Sequence, residues 1–213
     1  MIKISDYVIE FLIEKEINKV FGYIGGAVAY LYHSIDKYEN IEMVNCIHEQ
    51  GAGFASEGYS RVTGKSGVAM ATSGPGATNL ITPIGSCFFD SVPTLFITGQ
   101  VNTYEYKYEK PVRQIGFQET DIVSIVKPIT KYAVMINHIS EIRYELEKAY
   151  YISQHARKGP VLVDIPMDIQ RSEVDINTLK SFINSEEHKE FEQTIINHQI
   201  QEIVEVLNNS KRA

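Results

Sequence analysis

No apolar run in this chain reaches the roughly 18 residues that a membrane-spanning helix needs. The opening Met1-Ile2-Lys3-Ile4-Ser5-Asp6 lacks the apolar segment and small-residue cleavage site of a secretory signal. Cysteine is scarce: Cys46 and Cys87 stand alone, each in an apolar context and in no paired motif. They read as reduced, buried thiols of a cytoplasmic protein. No His/Cys cluster has ligand spacing, so the chain predicts no metal site of its own. Basic excess is missing as well, with 20 Lys and Arg against 27 Asp and Glu, a formal net charge of -7 and a pI near 5.4. Such a balance offers no surface to nucleic acid or to an anionic membrane. Repeats and low-complexity tracts are absent. What is present is 213 residues, 44% of them hydrophobic, enough for one full core and part of a second.

Strand-like and helix-like segments alternate. Ser5 reads as the N-cap of a helix over residues 5–17, with Val8, Ile9, Leu12 and Ile13 on one face. A strand follows at 19–23. Gly25-Gly26 breaks it, and helical spacing returns over 27–38. Further strands are predicted at 41–46, 67–71, 92–98, 129–135 and 160–165. Further helices are predicted at 49–63, ended by Gly64, and at 77–89 and 139–155. This order predicts an α/β protein: a parallel six-stranded sheet with right-handed crossovers and helices on both faces. Ligands of such sheets collect beyond the carboxyl ends of the strands. Tyr23 to Gly26, His48-Glu49, Thr72 to Gly76 and Thr98-Gly99-Gln100 all read as turns at that edge.

Two segments break the rhythm. Residues 99–120 form a long loop carrying Tyr104, Tyr106, Lys107, Tyr108, Lys110 and Arg113, and a loop of that length is functional or mobile. From Asp168 to about Glu190 the chain is polar and irregular, as a linker is. Residues 191–209 then read as a new amphipathic helix with Ile195, Ile196, Ile203, Val204 and Leu207 on its apolar side. That helix has nothing after Ala213 to pack on, so the chain is expected to be a piece or subunit of something longer.

Glu49 follows an apolar strand and opens a helix. By position alone it is a solvated first-turn carboxylate stabilised by the helix dipole. Gly51, Ala52 and Gly53 beside it leave room for a flat ring to approach. His48 reads as a positioned neighbour rather than an acid or base.

Taken in order, several motifs carry a resemblance. They are Phe21-Gly22-Tyr23-Ile24-Gly25-Gly26-Ala27, His48-Glu49-Gln50-Gly51-Ala52-Gly53, Glu57 to Gly64, and Ala71-Thr72-Ser73-Gly74-Pro75-Gly76-Ala77-Thr78-Asn79. Asp90 to Pro93, Thr98 to Gln100, Gly116-Phe117-Gln118-Glu119-Thr120-Asp121-Ile122, Lys127 to Lys131 and Gly159 to Pro166 continue the series. Over about residues 3–170 the chain resembles the pyrimidine-binding domain of thiamine-diphosphate enzymes, most closely the acetolactate synthase branch. The resemblance implies that Glu49 hydrogen-bonds a pyrimidine ring nitrogen and favours the tautomer that deprotonates the thiazolium carbon, the electron sink being the cofactor's. It implies Glu49 and Gln118 as catalytic residues. Thr72, Gly74, Pro75, Gly76 and Asn79 would join Glu49 at the cofactor. Gly25, Gly26, Ala27, Phe117 and Gln118 would line the substrate cavity, with Lys131 at its outer side. Arg113 lies in a loop that departs from the family and reads either as a binder of a carboxylate, phosphonate or sulfonate at the substrate cavity or as a surface charge.

The resemblance also implies a division of labour. Residues 1–170 would be the pyrimidine domain, 171–190 a linker and 191–213 the truncated start of a middle domain. The diphosphate and Mg2+ would be held by a domain whose Gly-Asp-Gly…Asn signature this chain lacks, and the cleft would close against a second copy of the chain. Alone the chain would be inactive. The full enzyme would decarboxylate a 2-keto acid and ligate it to another. The alternatives are a decarboxylase of an anionic 2-keto acid such as phosphonopyruvate or sulfopyruvate, and a non-catalytic assembly module. Ile24 stands where the family usually has Pro, the loop from Asn102 to Gln114 is longer and more basic than usual, and Gly116 replaces a frequent Ala. No His-His pair follows the fourth strand, which argues against simple pyruvate-type decarboxylases.

Overall fold

The computed structural model of the chain describes residues 1–193 and 197–211. Its centre is a six-stranded, all-parallel sheet in the order β3-β2-β4-β5-β7-β6, built from β2 (Lys19–Gly22), β3 (Glu42–Asn45), β4 (Gly67–Ala71), β5 (Thr94–Gln100), β6 (Tyr132–Met135) and β7 (Pro160–Pro166). Every residue of β4, β5 and β7 is buried, because helices cover both faces. Side chains alternate between two cores along each strand. Val68, Met70, Leu95, Ile97 and Val163 face one core, which α1 (Ile4–Glu14), α2 (Ala29–Ile35) and α7 (Ile142–Gln154) complete with Leu12, Leu31 and Leu146. Ala69, Ala71, Phe96 and Leu162 face the other, completed by Leu80 and by Ile84 and Cys87 of α5 (Ile81–Asp90), with Ile122 and Val126 of α6 (Ile122–Val126). The helix α3 (Glu49–Thr63) ends at Gly64, whose φ of 73° needs glycine.

The architecture is the one the alternation predicts, but several local expectations fail. Ser5 is not an N-cap. It lies inside α1, buried, and accepts from the Ser34 hydroxyl at 2.9 Å, while Lys3 occupies the N-cap position without a side-chain capping bond. The expected helix 77–89 is broken into α4 (Pro75–Thr78) and α5, because the chain turns at Asn79 to bring that residue to Glu49. Thr98-Gly99-Gln100 is not a turn but the buried end of β5, paired residue for residue with Asp164 to Pro166. Cys87 is buried, but Cys46 is only half-buried, at the end of edge strand β3.

The stretch read as an irregular linker folds back on the domain. It carries α8 (Met167–Arg171) and β8 (Glu173–Val174), which pairs antiparallel with β1 (Ile2–Lys3). Phe182 is fully buried against Tyr144 and Tyr151, and its amide donates to Glu147 at 2.7 Å. Polar composition concealed this single aromatic anchor. The helix expected at 191–209 is represented by α9 (Glu186–Gln193) and α10 (Asn197–Asn209), on which Ile203, Val204 and Leu207 are exposed; Ile195 and Ile196 lie outside the described residues. No helix among the described residues is long and apolar enough to cross a membrane.

Candidate functional site

The site gathers at the carboxyl edge of the sheet, and small residues let it form. On the inner side of α3, a β-carbon at Gly53 would lie 2.3 Å from the Pro83 ring, and one at the facing Gly67 would lie 2.0 Å from the Ser56 carbonyl oxygen. Ser60 locks the approach, accepting from the Gly67 amide at 2.7 Å and donating to the Pro93 carbonyl at 2.5 Å. With α3 this close, its first residue stands at the edge. His48 caps the helix, its Nδ1 accepting from the Gln50 amide at 3.1 Å.

Glu49 is 8% exposed. Asn79 donates to its Oε2 at 2.9 Å, which fixes the carboxylate plane. Its Oε1 borders a gap: a β-carbon at Gly76 would lie 3.2 Å from that oxygen and 2.7 Å from Thr72 Cγ2. Glycine at 76 therefore leaves open the space beside a buried carboxylate. Thr72 is the hub of the surrounding turns. Its Oγ1 accepts from the Ala27 amide at 3.1 Å, and a β-carbon at Gly25 would meet its Cβ at 2.4 Å. The Ala27 carbonyl is held as well, accepting from Gln170 Nε2 at 2.7 Å. Tyr32 donates to the Tyr23 carbonyl at 2.9 Å; burial and the nearby Glu49 charge hold its phenol above the ordinary range.

Gly74 has φ 62° and ψ -125°, a conformation reserved for glycine. A β-carbon there would also strike the Gln118 carbonyl oxygen at 2.7 Å. Gln118 itself is left-handed, φ 59°, an uncommon state for a residue with a side chain. The structure thus brings Gly25, Ala27, Glu49, Thr72, Gly74, Gly76, Asn79 and Gln118 together. Gly26 and Pro75 are exposed on the same turns, and Phe117 is 82% exposed beside Gln118. Arg113 is exposed on the loop that leads to Gly116.

Lys131 lies apart from this cluster within the chain. It directly precedes β6, and its amide bonds the carbonyl of Pro160, the first residue of β7. That is the opposite end of the parallel sheet from Glu49. Its ammonium donates to the carbonyls of Ile152 and of His155 (2.7 Å), closing the end of α7, and burial lowers its pKa. The resemblance alone suggests a cavity role; within one chain the direction of the strand sets Lys131 at the other edge of the sheet.

Three polar residues escaped the sequence reading. Gln170 is fully buried and ties Ala27 to the Ile165 carbonyl. Glu119 is buried and accepts from the amides of Lys107, Ile115 and Gly116. Asp164 lies inside β7 and accepts from Thr98 Oγ1 at 2.7 Å and Gln100 Nε2 at 2.9 Å. Burial pushes its pKa up to about 7, the Asp121 charge adding to the rise and the two donors opposing it. Gln100 also donates to the Thr120 carbonyl at 2.8 Å. One signal was available: Asp164 is the single charge in an apolar strand, Pro160–Pro166.

A cradle of glycine and threonine backbone around one buried, oriented carboxylate suits a flat, hydrogen-bonding heterocycle, so the residues present fit the pyrimidine of thiamine diphosphate. The comparisons agree. The profile of a family described as "Thiamine pyrophosphate enzyme, N-terminal TPP binding domain" matches residues 2–125. The acetolactate synthase large subunit of Lactococcus lactis is 39% identical over 98% of this chain and 35% of its own length. The mitochondrial acetolactate synthase catalytic subunit of Saccharomyces cerevisiae is 41% identical over 75% of this chain and 22% of its own length. Isozyme 1 of Escherichia coli is 40% identical over 82% of this chain and 30% of its own length. The chain thus spans about a third or less of the relatives it matches. It belongs to the thiamine pyrophosphate enzymes, by way of their N-terminal TPP-binding domain.

Proposed function

We propose that this chain is the pyrimidine-binding half of an acetolactate synthase-like carboligase. The observation that carries this reading is the buried Glu49, oriented by Asn79 and bordering the gap left by Gly76. When bound, the cofactor supplies the electron sink for decarboxylating a 2-keto acid and passing its carbonyl carbon to a second one. The chain's own part is binding and proton placement. Glu49 holds and shares a proton with a pyrimidine ring nitrogen, and Asn79 keeps its carboxyl in plane. Thr72 fixes the Gly25–Ala27 and Gly74–Gly76 turns against which the ring packs. Gln118, set on Gly74, faces the reacting keto acid, and exposed Phe117 covers it.

Residues 1–170 constitute this half in our reading, 171–190 connect onward, and 191–213 open a following domain. The diphosphate and Mg2+ fall to a domain of another type, and the enzyme works in the cytoplasm. Its partner is a second copy of the chain. On its outer side α3 presents an open stripe: among the described residues nothing lies within 4 Å of a β-carbon added at Gly51 or Gly58, Phe54 and Val62 are 43% and 88% exposed, and Ile47, two residues before the helix, is 94% exposed. That apolar stripe runs from the Glu49 end of the helix, where a second subunit would close the cleft.

In the full-length enzyme, Glu49→Gln is expected to lower kcat by about 10²- to 10⁴-fold while leaving the unfolding midpoint of the domain unchanged. Near-normal turnover in that variant would refute the role. The second reading, decarboxylation of an anionic keto acid such as phosphonopyruvate or sulfopyruvate, is favoured by exposed Arg113 in the basic loop. Product analysis separates the two: aldehyde alone, with no ligated hydroxy acid, favours the second.

A further inference from the structure

The segment that carries Gln118 is gripped from three sides, and two of the grips come from side chains with no part in the proposed chemistry. On one side the Gln118 carbonyl rests on Gly74. On the second, the Thr120 carbonyl is held by Gln100, which Asp164 anchors to the sheet. On the third stands Glu119. Its Oε1 accepts the Lys107 amide at 2.8 Å, and its Oε2 accepts the Ile115 amide at 2.7 Å and the Gly116 amide at 3.2 Å. One buried carboxylate therefore joins the two ends of the loop from Lys107 to Ile115. Hydrogen bonds to a charged acceptor are the strong kind, and burial at 6% exposure shields these from water. The loop so closed carries Lys107, Lys110 and Arg113 against a single Glu109, a net charge of +2, and it is followed at once by the exposed Phe117 and the left-handed Gln118.

We propose that Glu119 is the positioning residue of this site: it staples the base of the Lys107–Ile115 loop and thereby holds both Gln118 and the loop's net-positive segment for a carboxylate-bearing second substrate. The inference deepens the carboligase reading and rests on it. Without the staple, the loop ends separate and Gln118 is free to leave its left-handed conformation for the more accessible extended one. The cofactor's pyrimidine contacts, made by Glu49 and Thr72 on other turns, stay in place. Loss of Glu119 therefore weakens capture of the second keto acid more than it slows the chemistry.

The test uses the full-length enzyme with Glu119→Ala, Glu119→Gln and Glu119→Asp. Trypsin cuts after Lys107 and Arg113, whereas Pro111 protects the bond after Lys110. Glu119→Ala is expected to speed cleavage at those two bonds about tenfold relative to bonds elsewhere in the domain, and to raise KM for the second keto acid about tenfold with a smaller change in kcat. Glu119→Gln keeps one acceptor and is expected to fall between, while Glu119→Asp, which keeps the charge, restores KM more fully. Unchanged loop cleavage would overturn the staple. Faster cleavage at all bonds alike, or an equal fall in kcat for every variant, would show a general loss of fold and overturn the positioning role. Faster loop cleavage with unchanged KM would overturn the substrate assignment. Should the wild-type enzyme lack thiamine-dependent activity, the functional reading fails, and the proteolysis still decides the staple.

Discussion

Asp164→Asn isolates the most unusual electrostatic feature of the fold. Asp164 is enclosed between β5 and β6, and its carboxyl pKa is raised to about 7. In the unfolded chain the value is near 3.9. Between those limits the native protein keeps a proton that the unfolded chain has already released. Unfolding then liberates a proton, and raising the pH favours unfolding. This group is thus neutral in its effect below about pH 4 and fully destabilising above about pH 7, the reverse of a salt-bridged carboxylate. The whole effect is about 3 pKa units, or about 4 kcal/mol at most. Between about pH 5 and pH 6.5 it should accrue at about 1.4 kcal/mol per unit, about 2 kcal/mol in total. Asparagine is nearly isosteric, carries no charge at any pH, and can still accept from Gln100 while donating to Thr98. The assay is urea unfolding of both proteins at the two pH values. Circular dichroism is the appropriate probe, because the chain contains no tryptophan. The stability difference between variant and wild type should shift by about 2 kcal/mol in favour of asparagine as the pH rises. A difference that stays constant across the range would mean that Asp164 is ionised throughout, and the argument from burial would be wrong.

Two further outcomes test other parts of the account. Lys131→Met should lower stability by about 1–2 kcal/mol, because two carbonyls at the end of α7 lose a charged donor, yet leave the KM for keto acid unchanged in the full-length enzyme; a raised KM would return Lys131 to the cavity. Gly58→Glu places a charge in the open outer stripe of α3, where among the described residues nothing lies within 4 Å of an added β-carbon. It should leave the unfolding midpoint nearly unchanged and weaken self-association of the full-length enzyme measured by sedimentation; unaltered association would move the partner surface elsewhere.

The sheet was legible because buried strands read as continuous apolar runs, and β4 and the helix Glu49–Thr63 fall where the pattern puts them. The failures share a cause. Ser5 has the chemistry of a cap, but its hydroxyl is claimed by Ser34 from another helix. The helical spacing of 77–89 is real, yet the chain breaks it to deliver Asn79 to Glu49. Phe182 sits in a polar stretch and is buried by α7, which lies far away in sequence. Each is a contact between segments distant along the chain, and local periodicity carries no record of such contacts.

Sequence alone determined the class of fold, the edge of the sheet at which the turns gather, and the carboxylate that opens a helix there, since these follow from hydrophobic period, from strand direction and from ordered motifs within single segments. The tertiary structure decided which side chains hold that carboxylate and its turns in place. Asn79, Thr72, Gln170, Glu119 and Asp164 act across β-strands and loops, where burial removes competing water and a hydrogen bond between remote residues becomes worth making. The same fact of direction sets Lys131 apart from Glu49 within the chain, because in a parallel sheet the residue before a strand and the residue after it lie at opposite ends.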